Sequence, residues 1–258
     1  MNPFDAWAEI YDSVYSYVTS DIPFYVEQAK ESKGPVLELG CGTGRIAVPI
    51  SRAGISIVGI DSSLEMLKVA RRKLAQEKKA VRDRLTLRRG DMRTFRLPQR
   101  FLLVIIPFRG FLCLLTVQDQ IRTLKNIRRH LEPGGRLAFN IFVPDLNMLV
   151  DEGDVPYHFR DVTDPATGRK LVIYHQSSND NFSQITSTRI IIEELGESGA
   201  VARKLYRDFQ LRYAHRWEMQ HLLELCGFEI EALYGDFDGS PFDGSSTEMV
   251  WTARRPLR

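Results

Sequence analysis

The stretch Val36-Leu37-Glu38-Leu39-Gly40-Cys41-Gly42-Thr43-Gly44-Arg45 limits what this chain can become more than any other. Val36 to Leu39, apolar but for one acid, suits a short strand buried on both faces. The glycines behind it let the backbone turn sharply into a helix and approach a ligand closely. A second apolar run, Ile57-Val58-Gly59-Ile60, ends in Asp61 at a distance from Gly44 that suits the next strand of a strand-helix-strand unit, where a carboxylate meets a ribose. The pair implies an adenosine-containing cofactor. A dinucleotide needs G-x-G-x-x-G, and Arg45 stands where its third glycine would be, which weakens a nicotinamide reading.

The alternation continues along the chain. Helices are expected over Gly44 to Ala53 and Ser63 to about Gln76, with Ser62 or Ser63 as N-cap of the second and Leu64, Leu67, Ala70 and Leu74 on its apolar face. Leu85 to Leu87 predicts a third strand ending near Gly90-Asp91-Met92, and Phe101 to Ile106 a fourth. Thr116 to His130 has helical spacing, and Leu131-Glu132-Pro133-Gly134-Gly135 stops it before a fifth strand, Arg136 to Val143. After Pro144 the runs Tyr157 to Val162, Lys170 to His175, Gln184 to Glu193 and Ala200 to Leu211, rich in β-formers and separated by turn residues, predict a small antiparallel sheet. A helix from Arg216 to Cys226, capped by Gly227, and strands over Phe228 to Tyr234 and Glu248 to Ala253 close the chain. At its start, Asn2-Pro3 opens a helix whose Phe4, Trp7, Tyr11 and Tyr15 form an aromatic stripe; it either packs on the core or closes as a lid.

Composition excludes several classes. A chain of 258 residues can bury a full core, and a net charge of +2 does not demand a polyanionic partner. The basic run from Lys68 to Arg84 reads as the solvated face of a helix, with an RNA-tracking patch as the competing reading. Cys41, Cys113 and Cys226 form no C-x-x-C pair and are odd in number, which argues against zinc and against a disulfide framework. No metal is expected. With no targeting segment and no apolar run of membrane-spanning length, a soluble cytoplasmic protein is expected.

The spacing E-x-G-x-G-x-G at Glu38 to Gly44, together with Asp61, Asp91-Met92 and the L-x-P-G-G turn at Leu131 to Gly135, resembles the class I S-adenosylmethionine-dependent methyltransferases. The resemblance is strong over residues 36–143 and looser beyond. It implies an α/β, Rossmann-like, doubly wound and mostly parallel seven-stranded sheet with helices on both faces. The division expected is an N-terminal helical lid (1–30), a cofactor-binding frame (31–144 and 214–258) and an inserted antiparallel β cap (145–213). Connections leaving the carboxyl ends of parallel strands lie on the ligand side, so the cap and the loop from Gly235 to Gly244 should cover the substrate; a dimerisation platform is the competing use of the cap, which would make a homodimer. One departure is Ile105-Ile106-Pro107-Phe108-Arg109, where a D/N-P-P-Y/F motif serves nucleobase or glutamine amines; with Leu102 in place of a frequent Asp, it speaks against a DNA adenine methyltransferase.

By resemblance, Gly40, Cys41 and Gly42 line the methionine part of S-adenosylmethionine, Glu38 orients its amino group, and Tyr11 and Arg45 reach its carboxylate. Asp61 takes the ribose, Ser62 and Met66 border the adenine, Asp91 and Met92 hold its edge, and Ile106 and Pro107 border the sulfonium. The reaction expected is in-line transfer of a methyl to an N or O nucleophile of a small molecule, leaving S-adenosylhomocysteine; nucleic acid and membrane are not expected as partners. Protein or RNA methylation, and a non-catalytic cofactor-binding subunit, are the alternatives. Tyr15, Arg109, Tyr234 and Phe237 are the substrate-contact candidates; Tyr15, His215, Asp236 and Glu248 are candidate bases, with none singled out.

Overall fold

The structure is a computed structural model that describes residues 2–145, 149–150, 153, 155–164 and 167–257. Its larger sheet contains β1 (Val36–Leu39), β2 (Ile57–Asp61), β3 (Leu85–Arg89), β4 (Phe101–Ile106), β5 (Leu131–Phe142), β10 (Glu229–Tyr234) and β11 (Glu248–Arg254), in spatial order β10-β11-β5-β4-β1-β2-β3. β11 is antiparallel to both its neighbours, and the pairs from β5 to β3 are parallel. The smaller sheet is an antiparallel meander of β6 (Tyr157–Thr163), β7 (Lys170–Asp180), β8 (Ile185–Leu195) and β9 (Val201–Arg212).

Alternation along the central strands decides which helix each residue meets. Val36, Leu103 and Ile105 face a core supplied by Tyr25 and Ala29 of α2 (Asp21–Ser32) and by Ala47 and Ile50 of α3 (Ala47–Arg52). Leu37, Leu39, Val104 and Ile106 face the other side, against Leu124 and Ile127 of α6 (Val117–His130) and Met219, Leu222 and Leu223 of α7 (Arg216–Leu225). Strand order reverses between β1 and β4, so the crevice beyond their carboxyl ends is where this topology places a ligand.

A third core joins the two sheets. Trp7, Ile10 and Val14 lie between Met66 and Val69 of α4 (Leu64–Ala75) and Leu171, Ile173, Ile190 and Ile192 of the smaller sheet. The N-terminal segment is no continuous helix: a 3-10 turn (Pro3–Trp7), with Asn2 Oδ1 accepting from the Phe4 N–H at 2.9 Å, is followed by the single turn α1 (Tyr11–Val14). Its stripe therefore divides, Trp7 entering this core while Tyr11 and Tyr15 reach its edge.

Some details depart from expectation. α3 begins at Ala47 because Gly42 and Gly44 take φ of 52° and 79°, which no right-handed helix contains. β5 begins at Leu131, paired with Phe101, and slips so that Leu103 meets Arg136. In α4 the inward positions are Met66, Leu67, Val69 and Ala70; Leu64, expected on that face, is 38% exposed. α5 (Lys79–Arg82) interrupts the basic run.

Ser63 stitches these parts together. It is fully buried, its hydroxyl accepting from the Met66 N–H at 3.1 Å to cap α4 and donating to Asp5 Oδ1 at 2.7 Å. Ser63→Ala is expected to lower stability by about 1–2 kcal/mol, read as a lower denaturant midpoint with unchanged slope.

Candidate active site

The glycine loop is fastened to β2 rather than left free. Gly40 and Cys41 N–H both donate to the Ile60 carbonyl, at 2.8 and 3.0 Å. Gly42 N–H donates to Asp61 Oδ2 at 2.8 Å, and Ser63 N–H to Asp61 Oδ1 at 2.7 Å. One carboxylate thus spans loop and helix start. Burial raises the Asp61 pKa, and these N–H donors oppose the rise. Beneath the loop Glu38 is 2% exposed; its Oε2 is fully buried and has no hydrogen-bond partner. Burial pushes its pKa up to about 8, against the pull of Arg45.

Arg45 is itself committed. Its guanidinium forks onto Asp21 at 2.6 and 2.5 Å, donates to the Val18 carbonyl at 3.1 Å and lies 5.1 Å from the Phe108 ring centre. Thr43 Oγ1 donates to Asp12 Oδ1 at 2.6 Å. The N-terminal segment is therefore pinned to the loop at two points.

Between the loop and the smaller sheet lies a cavity of about 610 Å³. Gly40, Gly42 and Asp61 border one end, and His175, Ile190 and Phe209 of the smaller sheet the other. Aromatic rings line the passage: Tyr11 and Tyr15 are 4.9 Å apart, and Phe108 is 5.0 Å from Tyr15. Burial raises the pKa of both phenols, which stay protonated. Phe108 and Arg109 have φ of 52° and 63°, a conformation that costs non-glycine residues about 1–2 kcal/mol each. On one side Tyr25 donates to Asn140 Oδ1 (3.0 Å), Asn140 to Glu248 Oε2 (2.9 Å), and Arg109 Nε to Glu248 Oε1 (3.1 Å). His175, stacked 3.9 Å from Phe159, is neutral because burial lowers its pKa to about 4.

Of the residues singled out in the sequence, Tyr11, Tyr15, Gly40, Gly42, Asp61 and Ser62 border this cavity, as do Met66, Met92, Pro107, Arg109, Asp236, Phe237 and Glu248. The others lie off it. The Cys41 side chain turns to Gly59, where a Cβ would sit 2.9 Å from its Sγ, so only its backbone belongs to the loop. Ile106 is wholly buried in the core. Asp91 is paired with Arg93 at 2.6 Å, which also reaches Asp119 and holds the Asp91 carboxyl below its usual range. Tyr234 packs edge-on to Phe24 at 6.3 Å, and exposed His215 precedes α7 beside Tyr213. Asp21, Phe108, Asn140, His175 and Phe209 border the cavity without having been singled out. Asn140 alone left a signal, a polar residue inside the apolar run of β5.

This strand order, with one antiparallel strand beside β5, and a glycine loop joined to an acid on β2 define a Rossmann-like fold of the methyltransferase type. A family profile described as "Methyltransferase domain" matches residues 36–135. The chain is 25% identical to the putative methyltransferase YqeM of Bacillus subtilis (strain 168), over 98% of this chain and 97% of that protein. It is 27% identical to the cypemycin N-terminal methyltransferase of a Streptomyces species, over 96% and 95%. The solved CcbJ methyltransferase from Streptomyces caelestis superposes with a TM-score of 0.79 at 26% identity, covering 99% of this chain and 98% of that one. The chain is an enzyme that uses S-adenosylmethionine, and its matched domain and fold are consistent with a class I methyltransferase. The residues present fit it: the orphaned Glu38 oxygen suits a cationic amino group, and a Cβ built on Gly42 meets nothing within 4 Å. No helix among the described residues is long and apolar enough to cross a membrane.

Proposed function

We propose that the enzyme methylates the nitrogen of a small-molecule amine held between the glycine loop and the inner face of the smaller sheet. One observation carries the choice of an amine: the groups around the cavity are poorly placed to take a proton from a hydroxyl. Tyr11 and Tyr15 stay protonated, and His175 has lost basicity. Arg45 holds Asp21, two N–H groups hold Asp61, Arg109 with Asn140 holds Glu248, and the Phe237 N–H donates to Asp236 at 2.7 Å. A neutral amine needs no base before it attacks, whereas a hydroxyl does. The cypemycin relative, named for N-terminal methylation, supports the same reading.

When bound, the cofactor supplies a methyl already activated by a sulfonium. The chain's own contribution is placement, which supplies much of the rate in such a displacement. Glu38 and Asp61 hold the amino and ribose ends, with Met66 and Met92 beside the adenine and backbone of Gly40 to Gly42 along the methionine. Tyr11 and Tyr15 exclude water and direct the acceptor, and the Arg109–Glu248 pair borders its polar part. In this reading residues 1–30 form a lid, 31–144 with 214–258 the cofactor-binding frame, and 145–213 a cap over the acceptor.

Incubation with labelled S-adenosylmethionine and a panel of amines, alcohols and carboxylates tests the proposal. Label is expected on an amine, with kcat/KM rising as pH approaches the amine's pKa and its neutral fraction grows. Transfer to alcohols alone would overturn the amine reading.

A further inference from the structure

A second cavity, of about 600 Å³, adjoins the first and shares Phe4, Cys113 and Phe209 with it. The first has to take both the cofactor and the reacting end of the acceptor, and its volume is that of a site for one drug-sized ligand. An acceptor larger than a simple amine has to continue elsewhere, and the shared wall shows where.

The smaller sheet explains the second cavity's chemistry. Across β7, β8 and β9, Ser177 pairs with Thr188 and Thr188 with Phe209. Side chains alternate along a strand, so this trio shares a face with the pairs His175–Ile190 and Ile173–Ile192, whose isoleucines are buried in the third core. That face thus passes from aliphatic, through the histidine of the first cavity, to two hydroxyls 3.1 Å apart. Opposite them stand Pro3, Phe4, Cys113 and Leu115. Arg189 and Asp208 of the same strand segments also border the cavity, and they pair with each other at 2.7 and 3.1 Å. Apart from that ion pair, the described residues bordering the cavity carry aromatic, aliphatic, thiol, hydroxyl or amide side chains. Among the described residues bordering it, a phosphate would meet no cation without an ion-pair partner and an ammonium no carboxylate without one, so either would be desolvated with little return. A group with apolar faces and uncharged hydrogen-bonding edges would stack on Phe4 or Phe209 and bond to Ser177 and Thr188.

We propose that the second cavity holds an uncharged, hydrogen-bonding extension of the methyl acceptor, the hydroxyls of a glycosyl unit or the amides of a short peptide, so that the acceptor spans both cavities. This rests on the first cavity being the site of methyl transfer. A nucleoside diphosphate is excluded from the second by its charge.

The test is saturation-transfer NMR on the full chain loaded with S-adenosylhomocysteine, using maltose, N-acetyl-trialanine amide and uridine diphosphate as separate probes. Maltose or the capped peptide is expected to bind, and whichever does identifies the source of the chemistry. Thr188→Trp, which fills the cavity, is expected to weaken that binding at least about fivefold, and isosteric Thr188→Val about threefold. S-adenosylmethionine affinity should stay within about twofold in both variants, which verifies folding; if the tryptophan variant fails to fold, the valine variant decides. Absence of binding by both neutral probes, binding indifferent to the variants, or uridine diphosphate binding that the variants abolish would overturn the proposal. The reading of the first cavity fails separately, through absence of S-adenosylmethionine binding or of methyl transfer.

Discussion

Gly42→Leu is expected to leave the fold standing and to abolish cofactor binding. Gly42 has a φ of 52°, so any other residue there costs about 1–2 kcal/mol of backbone strain, which a domain of this size tolerates. A Cβ at that position meets nothing within 4 Å, so the empty protein has room for the side chain. The same space borders the cavity, where the loop backbone must approach its ligand closely. Isothermal titration calorimetry should show S-adenosylmethionine affinity reduced at least about a hundredfold, equivalent to roughly 3 kcal/mol. Thermal unfolding without cofactor should shift by only a few degrees, on the order of 2–6 °C. Affinity within threefold of wild type would remove the glycine loop from the cofactor site.

The frame was legible because its strands are continuous apolar runs with sharp ends. β1 and β4 occupy the spans expected of them, and each strand of the smaller sheet falls on its predicted run, with β7 extending five residues further, from His175 to Asp180. Helix starts were less legible where glycine conformation intervened, as after Gly44. The acids on β1 and β2 and the glycines between them announced the cofactor end of the cavity, since one local unit carries them all. The opposite end depends on pairings between distant segments. His175 turns inward because it pairs with Ile190, and a slip of one residue would present Tyr174 instead. Asp21 was silent for a similar reason: its side chain is 1% exposed only because Arg45, far along the chain, forks onto it. The left-handed backbone at Phe108 and Arg109 has no signature in residues that usually avoid it.

Cofactor binding at pH 7 is expected to release about one proton, and Glu38→Gln to abolish that release. The Glu38 pKa is raised from 4.5 to about 8 by burial, so in the cofactor-free fold the side chain is mostly protonated at neutral pH. Its contribution to stability is full below 4.5, declines as the unfolded carboxyl ionises and the folded one does not, and is level again above about 8. The free protein is therefore expected to lose stability between those limits, on the order of a few kcal/mol, and Glu38→Gln to flatten the loss. An ammonium arriving beside the unpartnered Oε2 reverses the balance, because an adjacent positive charge favours the ionised carboxyl and the proton leaves. S-adenosylmethionine affinity should then rise between pH 6 and pH 7 by up to about tenfold. Calorimetry in phosphate and in Tris should give enthalpies differing by the buffers' ionisation heats. Glu38→Gln should bind at least about tenfold more weakly, with the same enthalpy in both buffers. A wild-type enthalpy independent of buffer would show that Glu38 is already ionised before the cofactor arrives, and would assign the buried orphan oxygen to the fold alone.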